Sequence, residues 1–121
     1  MLSHFEQHHQ VRALLDYFDR GTPDTKWMSV IASWGENTTI VCADGSILKN
    51  RVERQVLKEC NLMFVCLSPG WVHLQWSDYG WKIIKAWPDI VKNVEQASKP
   101  MVFEVMVGSL KIQSYGPVQN L

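Results

Sequence analysis

The chain has 121 residues, 46% of them hydrophobic and 20% charged, which suits one globular domain with a real core and argues against a disordered chain. No apolar run approaches the roughly 20 residues that a membrane-spanning helix needs. Because the formal net charge is zero, the composition is not that of a dedicated nucleic-acid binder, and any contact with RNA must come from a local patch.

The first half of the chain predicts alternating strands and helices. Val11 to Leu15 is a short apolar stretch that we interpret as a strand, followed by a loop. In the helix start that comes next, Thr22 suits the N-cap, Pro23 the first turn, and Asp24 the positive end of the helix dipole. A helical face then recurs at three and four residues until Gly35 ends it: Trp27, Val30, Ile31 and Trp34.

Thr38 to Ala43 is β-branched and apolar, and therefore predicts a central parallel strand that is buried on both faces. Arg51 to Cys60 predicts a helix with Val52, Val56 and Leu57 on its apolar side. The remaining segments predict a buried strand, a long helix interrupted at Pro88, and a terminal hairpin across Gly108-Ser109: Leu62 to Leu67, Trp71 to Glu95, Met101 to Val107 and Leu110 to Ser114. This order favours an α/β sheet with helices on both faces.

That architecture makes two carboxylates a candidate site. Sites in open α/β sheets gather outside the carboxyl ends of the strands, and Asp44 directly follows the strand that ends at Ala43. Asp24 begins the helix that leads into this strand. Carboxylates that converge on one spot repel each other unless a cation such as Mg²⁺ or Mn²⁺ neutralises them. Each aspartate also has a plainer interpretation, as a turn residue or a helix-start residue.

The order and spacing of several motifs resemble one bacterial group of PIN-like domains, from about Val11 to Ile112. The segment GTPDTKW resembles that group's GTPD-x-x-W motif, and VCADGSIL resembles its strand followed by T-x-D-x-x-I. Further matches are an E-R-x-x-L helix, a W-P-x-I helix and a terminal strand that begins K-P: Glu53 to Leu57, Trp87 to Ile90 and Lys99 to Val105.

The resemblance implies a three-layer, Rossmann-like α/β domain with a mainly parallel sheet, and we expect residues 1–121 to form a single domain of this kind. It implies a metal-dependent endoribonuclease that uses Mg²⁺ or Mn²⁺, in many cases as the toxin of a toxin–antitoxin pair. Matched residue by residue, Asp24 and Asp44 are the catalytic metal ligands, and Ser46 lies where many PIN domains place a further Asp or Ser, which makes it a candidate to support those ligands. Lys49, Arg51 and Arg54 are candidates for contacting RNA phosphates, although a solvated helix face explains the same cluster.

The N-terminus departs from the family pattern. PIN domains open with a strand that carries an acidic residue, whereas this chain begins Met1-Leu2-Ser3-His4, so we expect an N-terminally incomplete form. This leaves an alternative open: a catalytically impaired scaffold that binds a partner, either an antitoxin or a second copy of itself. A metal-free structural or RNA-binding module is a third hypothesis.

Histidines, cysteines and tryptophans receive plainer interpretations. His4 and His8 have a spacing that can bind metal on a helix, but with no third ligand we expect surface side chains. Cys42, Cys60 and Cys66 form no CxxC pair and predict buried free thiols in a cytoplasmic protein. Trp27, Trp81 and Trp87 are expected in packing. Trp71 and Trp76 are candidates for an exposed aromatic patch that stacks on single-stranded bases or binds a partner, and we favour a partner or the core.

Overall fold

A computed structural model describes residues 11–35, 37–43 and 45–121. Four helices and four strands follow in chain order: α1 (Asp24–Ser33), β1 (Thr39–Cys42), α2 (Ser46–Lys49), α3 (Arg51–Cys60), β2 (Met63–Leu67), α4 (Trp76–Gln96), β3 (Met101–Val105) and β4 (Ile112–Pro117). Three short 3₁₀ turns accompany them: Leu14–Asp16, Pro69–His73 and Val118–Asn120.

The four strands form one sheet in the order β1-β2-β3-β4. β1 pairs with β2 in parallel and β2 pairs with β3 in parallel, while β4 returns antiparallel to β3. The helices between the parallel strands carry the chain back across the sheet, as parallel pairing requires. The sequence-based prediction of an α/β fold with a mainly parallel sheet and a terminal hairpin is confirmed.

Two hydrophobic clusters cover opposite faces of the sheet and make the fold three-layered. On one face, α1 and α3 contribute Met28 and Leu57, which pack with Phe64 of β2. On the other face, Ile90 of α4 packs with Val65 and with residues of β3. Alternate side chains of a strand point to opposite faces, which is why neighbours such as Phe64 and Val65 belong to different clusters.

The ends of α1 and α3 are set by identifiable residues. Asp24 is the first residue of α1, so Pro23 takes the cap position without a side-chain hydrogen bond, and the prediction of Thr22 as N-cap is wrong by one residue. Gly35 ends the helix with φ of 69°, as predicted. At α3, the Asn50 carboxamide accepts hydrogen bonds from the backbone N–H groups of Val52 and Glu53, both at 3.0 Å.

Two strand predictions need correction. Val11 to Leu15 is not a strand: its residues are exposed, and the 3₁₀ turn at Leu14–Asp16 brings Tyr17 within 5.3 Å of Trp34, ring centroid to ring centroid. β1 is not central, because within the described part of the chain it pairs only with β2. Val41 is accordingly 37% exposed rather than buried.

The tryptophans divide between core and surface. Trp71 is fully buried and donates its indole N–H to the carbonyl of Val105 at 3.0 Å, whereas Trp76 is 87% exposed, so the predicted joint patch does not form. Trp27 lies in the core as expected, but Trp81 is half exposed. Pro88 lies inside α4 without ending it.

Leu57 of α3 is fully buried and Val52 on the same helix is 64% exposed, which corrects the prediction that both face the core. We expect Leu57→Ala to lower the free energy of unfolding by about 3 kcal/mol, through lost burial and the cavity that remains. Val52→Ala, the matched control, should change it by less than about 0.5 kcal/mol. Urea unfolding of both variants measures the difference, and equal losses would contradict this packing.

Candidate active site

The parallel strands place their carboxyl ends along one edge of the sheet. We call this edge, formed by Ala43, Ser68 and Met106 directly after β1, β2 and β3, the carboxyl rim. α3 and α4 both begin on this side, because each returns the chain to the amino end of the next parallel strand. Ligand sites of open α/β sheets lie at such an edge.

Asp24 is held in a fixed orientation by Trp27. The indole N–H of Trp27 donates to Oδ1 of Asp24 at 2.8 Å, and the indole itself is only 4% exposed. Residues three apart lie on the same face of a helix, so the D-x-x-W spacing brings the carboxylate to the indole. A buried donor of this kind orients a ligand in the way that outer-shell groups orient metal ligands.

α1 places Asp24 on the same side as the carboxyl rim. Residues 34–38 join the end of α1 to the amino end of β1, and α1 packs along α3. The start of α1, with the half-buried Asp24, therefore points toward the edge at which β1 ends.

Asp44 lies outside the described residues, and so do His4 and His8. The neighbours of Asp44 are described: Ala43 packs against the cluster beneath α4, and a Cβ added at Gly45 would lie 3.7 Å from the Cys66 thiol. In the described part of the chain, no three His, Cys, Asp or Glu side chains are grouped so that they would hold a metal ion. The predicted pairing of Asp24 with Asp44 stays a prediction.

The predicted basic cluster is divided in its contacts. Lys49 and Arg51 are exposed, at the junction between α2 and α3, while Arg54 is half-buried and donates to the carbonyl of Leu48 at 3.3 Å. Arg54 thus braces α2 against α3. Ser46 is the exposed first residue of α2, immediately after the turn at Gly45.

A row of side chains that sequence reasoning missed crosses the sheet close to the rim. The strand register aligns Cys42 with Cys66, Cys66 with Glu104, and Glu104 with Gln113. The Glu104 carboxylate accepts a hydrogen bond from the Tyr115 hydroxyl at 2.6 Å. The sequence signal for a carboxylate here is Glu104 itself, a charged residue among the apolar residues of β3.

Two hydroxyl groups complete the rim on the side of α4. Tyr79 packs edge-on against Trp71 with ring centroids 5.5 Å apart, and its partial burial, with Cys42 nearby, raises its pKa above the ordinary value. The Ser68 hydroxyl accepts from the backbone N–H of Val107 at 3.1 Å, which ties the end of β2 to the connection after β3. All three cysteines are free thiols, as predicted, but only Cys66 is buried, since Cys42 and Cys60 are partly exposed.

A family model described as a PIN-like domain matches residues 1–69. The chain belongs to the PIN-like domain family. No curated protein and no solved structure shows a significant match. The matched region ends at Pro69, just after β2, so it contains the Asp24–Trp27 pair and Asp44, whereas α4, β3 and β4 lie beyond it.

PIN-like domains generally depend on a divalent metal, and the donor chemistry of this chain is compatible with one. Carboxylate oxygens are the ligands that Mg²⁺ and Mn²⁺ prefer, and Asp24 presents such a group with its orientation fixed.

Within the described ranges, no helix is long and apolar enough to cross a bilayer.

The bond to Glu104 raises the pKa of Tyr115 above 10.0, with smaller contributions from burial and from the charge of Glu104. The neutral phenol is therefore favoured in the folded state, and its stabilising effect is present below the ordinary tyrosine pKa and lost as the pH rises through the raised one. We expect Glu104→Ala to bring the pKa of Tyr115 back toward its ordinary value.

Phenolate absorbance during an alkaline titration measures this shift, and Tyr115→Phe assigns the transition. Tyr17→Phe is the control, since loss of the Tyr17 hydroxyl should leave the raised transition of Tyr115 in place. A titration curve unchanged by Glu104→Ala would contradict the bond.

Proposed function

We propose that this PIN-like domain is an endoribonuclease that depends on Mg²⁺ or Mn²⁺, with Asp24 and Asp44 as its catalytic metal ligands. The observation that carries the proposal is the Asp24 carboxylate fixed by the buried indole of Trp27. The family match supports it, because PIN-like domains commonly bind RNA and use divalent metals.

Each residue has a role in this proposal. Asp24 and Asp44 bind the ion through carboxylate oxygens, and Trp27 keeps Asp24 in its binding orientation. Such an ion, when bound, activates water and stabilises negative charge on a phosphodiester. Ser46 supports the ligand that precedes it, and the exposed Lys49 and Arg51 attract RNA phosphates. Arg54, which braces α2, contributes its charge from a more fixed position.

We further propose that residues 1–121 act as one PIN-like unit in the cytoplasm, as the toxin of a toxin–antitoxin pair. β3 and β4, which follow the matched region, belong to the same sheet as β1 and β2 and support this view. The proposed partners are RNA as substrate and an antitoxin protein as inhibitor.

An exposed apolar surface favours a second candidate function, that of a partner-binding scaffold. Trp76 is 87% exposed and Ile84, two turns further along the same face of α4, is 54% exposed. Val72, just before the helix, is 61% exposed. Large exposed side chains of this kind serve as anchors in protein interfaces, so an antitoxin or a second copy of the chain would dock here.

We expect Asp24→Asn and Asp44→Asn each to abolish Mn²⁺ binding and RNA cleavage, because an amide lacks the charge that a divalent ion requires. Calorimetry with Mn²⁺ and a cleavage assay on single-stranded RNA measure the two effects. Asp19→Asn is the matched control, since Asp19 is an exposed acid outside the proposed site. Cleavage that persists in both variants would refute the nuclease, and the partner-binding function would then be tested by light scattering of the chain alone.

Trp27→Phe should keep a ring in the core while removing the N–H that holds Asp24. We expect Mn²⁺ affinity to fall about tenfold to a hundredfold, the usual effect of losing an outer-shell partner. Trp34→Phe, at the other end of the same helix, is the control and should bind Mn²⁺ as the original chain does. Unchanged affinity in Trp27→Phe would show that the indole does not position a ligand.

A further inference from the structure

A basic groove lies between α4 and the connection from β3 to β4, in the part of the chain beyond the family match. Its volume is about 380 Å³. Trp81, Lys82, Lys85 and Asp89 line it from the helix, and Lys111 lines it from the connection.

The charge of the groove contrasts with that of the whole chain. Three lysines face one aspartate there, a local excess of two positive charges, although the chain as a whole has a formal net charge of zero. A concave surface lined by one sign of charge concentrates ligands of the opposite sign. The groove therefore suits an anionic ligand.

Trp81 gives the groove an aromatic ring that has two lysine ammonium groups over it. The ring is 50% exposed, and the ammonium groups of Lys82 and Lys85 lie 5.2 and 5.7 Å from its centroid. Its N–H donates to Asp78 Oδ1 at 3.4 Å, which limits rotation of the ring.

The walls of the groove are joined to each other. Lys82 Nζ donates to the carbonyl of Val107 at 3.1 Å and so connects α4 to the β3–β4 connection. Lys85 and Lys111 have no comparable bond in the described part of the chain, and their charges remain available to a ligand.

We propose that this groove binds single-stranded RNA, with one base against the exposed part of Trp81 and phosphates on Lys85 and Lys111. Proteins that hold single strands combine a positive groove with aromatic side chains on which bases stack. An acidic peptide would satisfy the lysines, but its charged residues carry no aromatic ring to stack on the indole, whereas every nucleotide carries a base.

The groove extends the proposed nuclease by giving it a substrate-holding surface, and in that respect it rests on the proposed function. The β3–β4 connection follows the carboxyl end of β3 and α4 begins on that side of the sheet, so the Trp81 end of the groove is the end nearer the carboxyl rim. β1 lies two strand spacings from β3, or about 10 Å across the sheet.

The test measures binding separately from cleavage. Anisotropy of a fluorescently labelled single-stranded oligoribonucleotide, in buffer with EDTA, reports affinity when no divalent metal is free to support cleavage. We expect Lys85→Gln/Lys111→Gln to weaken binding about tenfold, and to reduce the slope of log K against log salt by about 1.4, or about 0.7 for each phosphate that the variant no longer neutralises. Lys92→Gln/Lys99→Gln removes the same charge outside the groove and should bind as the original chain does.

Trp81→Leu should lower affinity about fivefold to a hundredfold, the effect of losing one stacked base. Circular dichroism confirms that the variant is folded. Because the assay contains EDTA, the metal site does not contribute to the measured affinity, so a failed metal site leaves this test intact.

Three results would overturn the proposal. The first is equal affinity in Lys85→Gln/Lys111→Gln and the original chain. The second is an equal loss in the Lys92→Gln/Lys99→Gln control or a larger loss in Lys49→Gln/Arg51→Gln, which would place the phosphates elsewhere. The third is displacement of the RNA by polyglutamate at the same charge concentration, which would show a non-specific anion site.

Discussion

Parallel pairing of β1, β2 and β3 is the constraint on which the rest of the structure depends. Strands that run in one direction need a return crossing between each pair, so helices must cover both faces and begin on one edge. Polar groups that follow the strands and start the helices are thereby collected on the carboxyl rim. The Ser68 hydroxyl and the Tyr79 phenol reach this edge from β2 and α4, and Asp24 begins α1 on the same side of the sheet.

Local sequence signals predicted the elements that depend on local chemistry. α3 runs over Arg51–Cys60, as its apolar spacing indicated, because Asn50 caps its start and Asn61, at φ of 51°, closes its end. Within the predicted segment from Leu62 to Leu67, Met63–Leu67 is a strand, because the apolar run is short and rich in residues that favour strands. The D-x-x-W spacing placed Asp24 at a helix start, and the three-residue interval alone brings Trp27 to its carboxylate.

Properties that depend on distant pairing were not predictable in the same way. Whether β1 is central or at the edge is decided by which strands flank it, and a β-branched run looks the same in both positions. The Glu104–Tyr115 bond depends on the register across the hairpin, which the turn at residues 106–111 sets. Val11 to Leu15 is apolar enough for a strand but has no strand partner in the described chain. Of the two proposed metal ligands, Asp24 lies within the described residues and Asp44 lies outside them.

The D-x-x-W spacing occurs twice, and burial gives each copy a different use. Asp24 with Trp27 and Asp78 with Trp81 both stand in the first turns of a helix that begins near the carboxyl rim. In α1 the indole is 4% exposed and the bond is 2.8 Å, so the ring is fixed by the core and orients the acid. In α4 the indole is 50% exposed and the bond is 3.4 Å, so the acid instead steadies a half-exposed ring that lies under two lysine ammonium groups. The same local rule therefore yields an oriented carboxylate on one face of the sheet and an aromatic binding surface on the other.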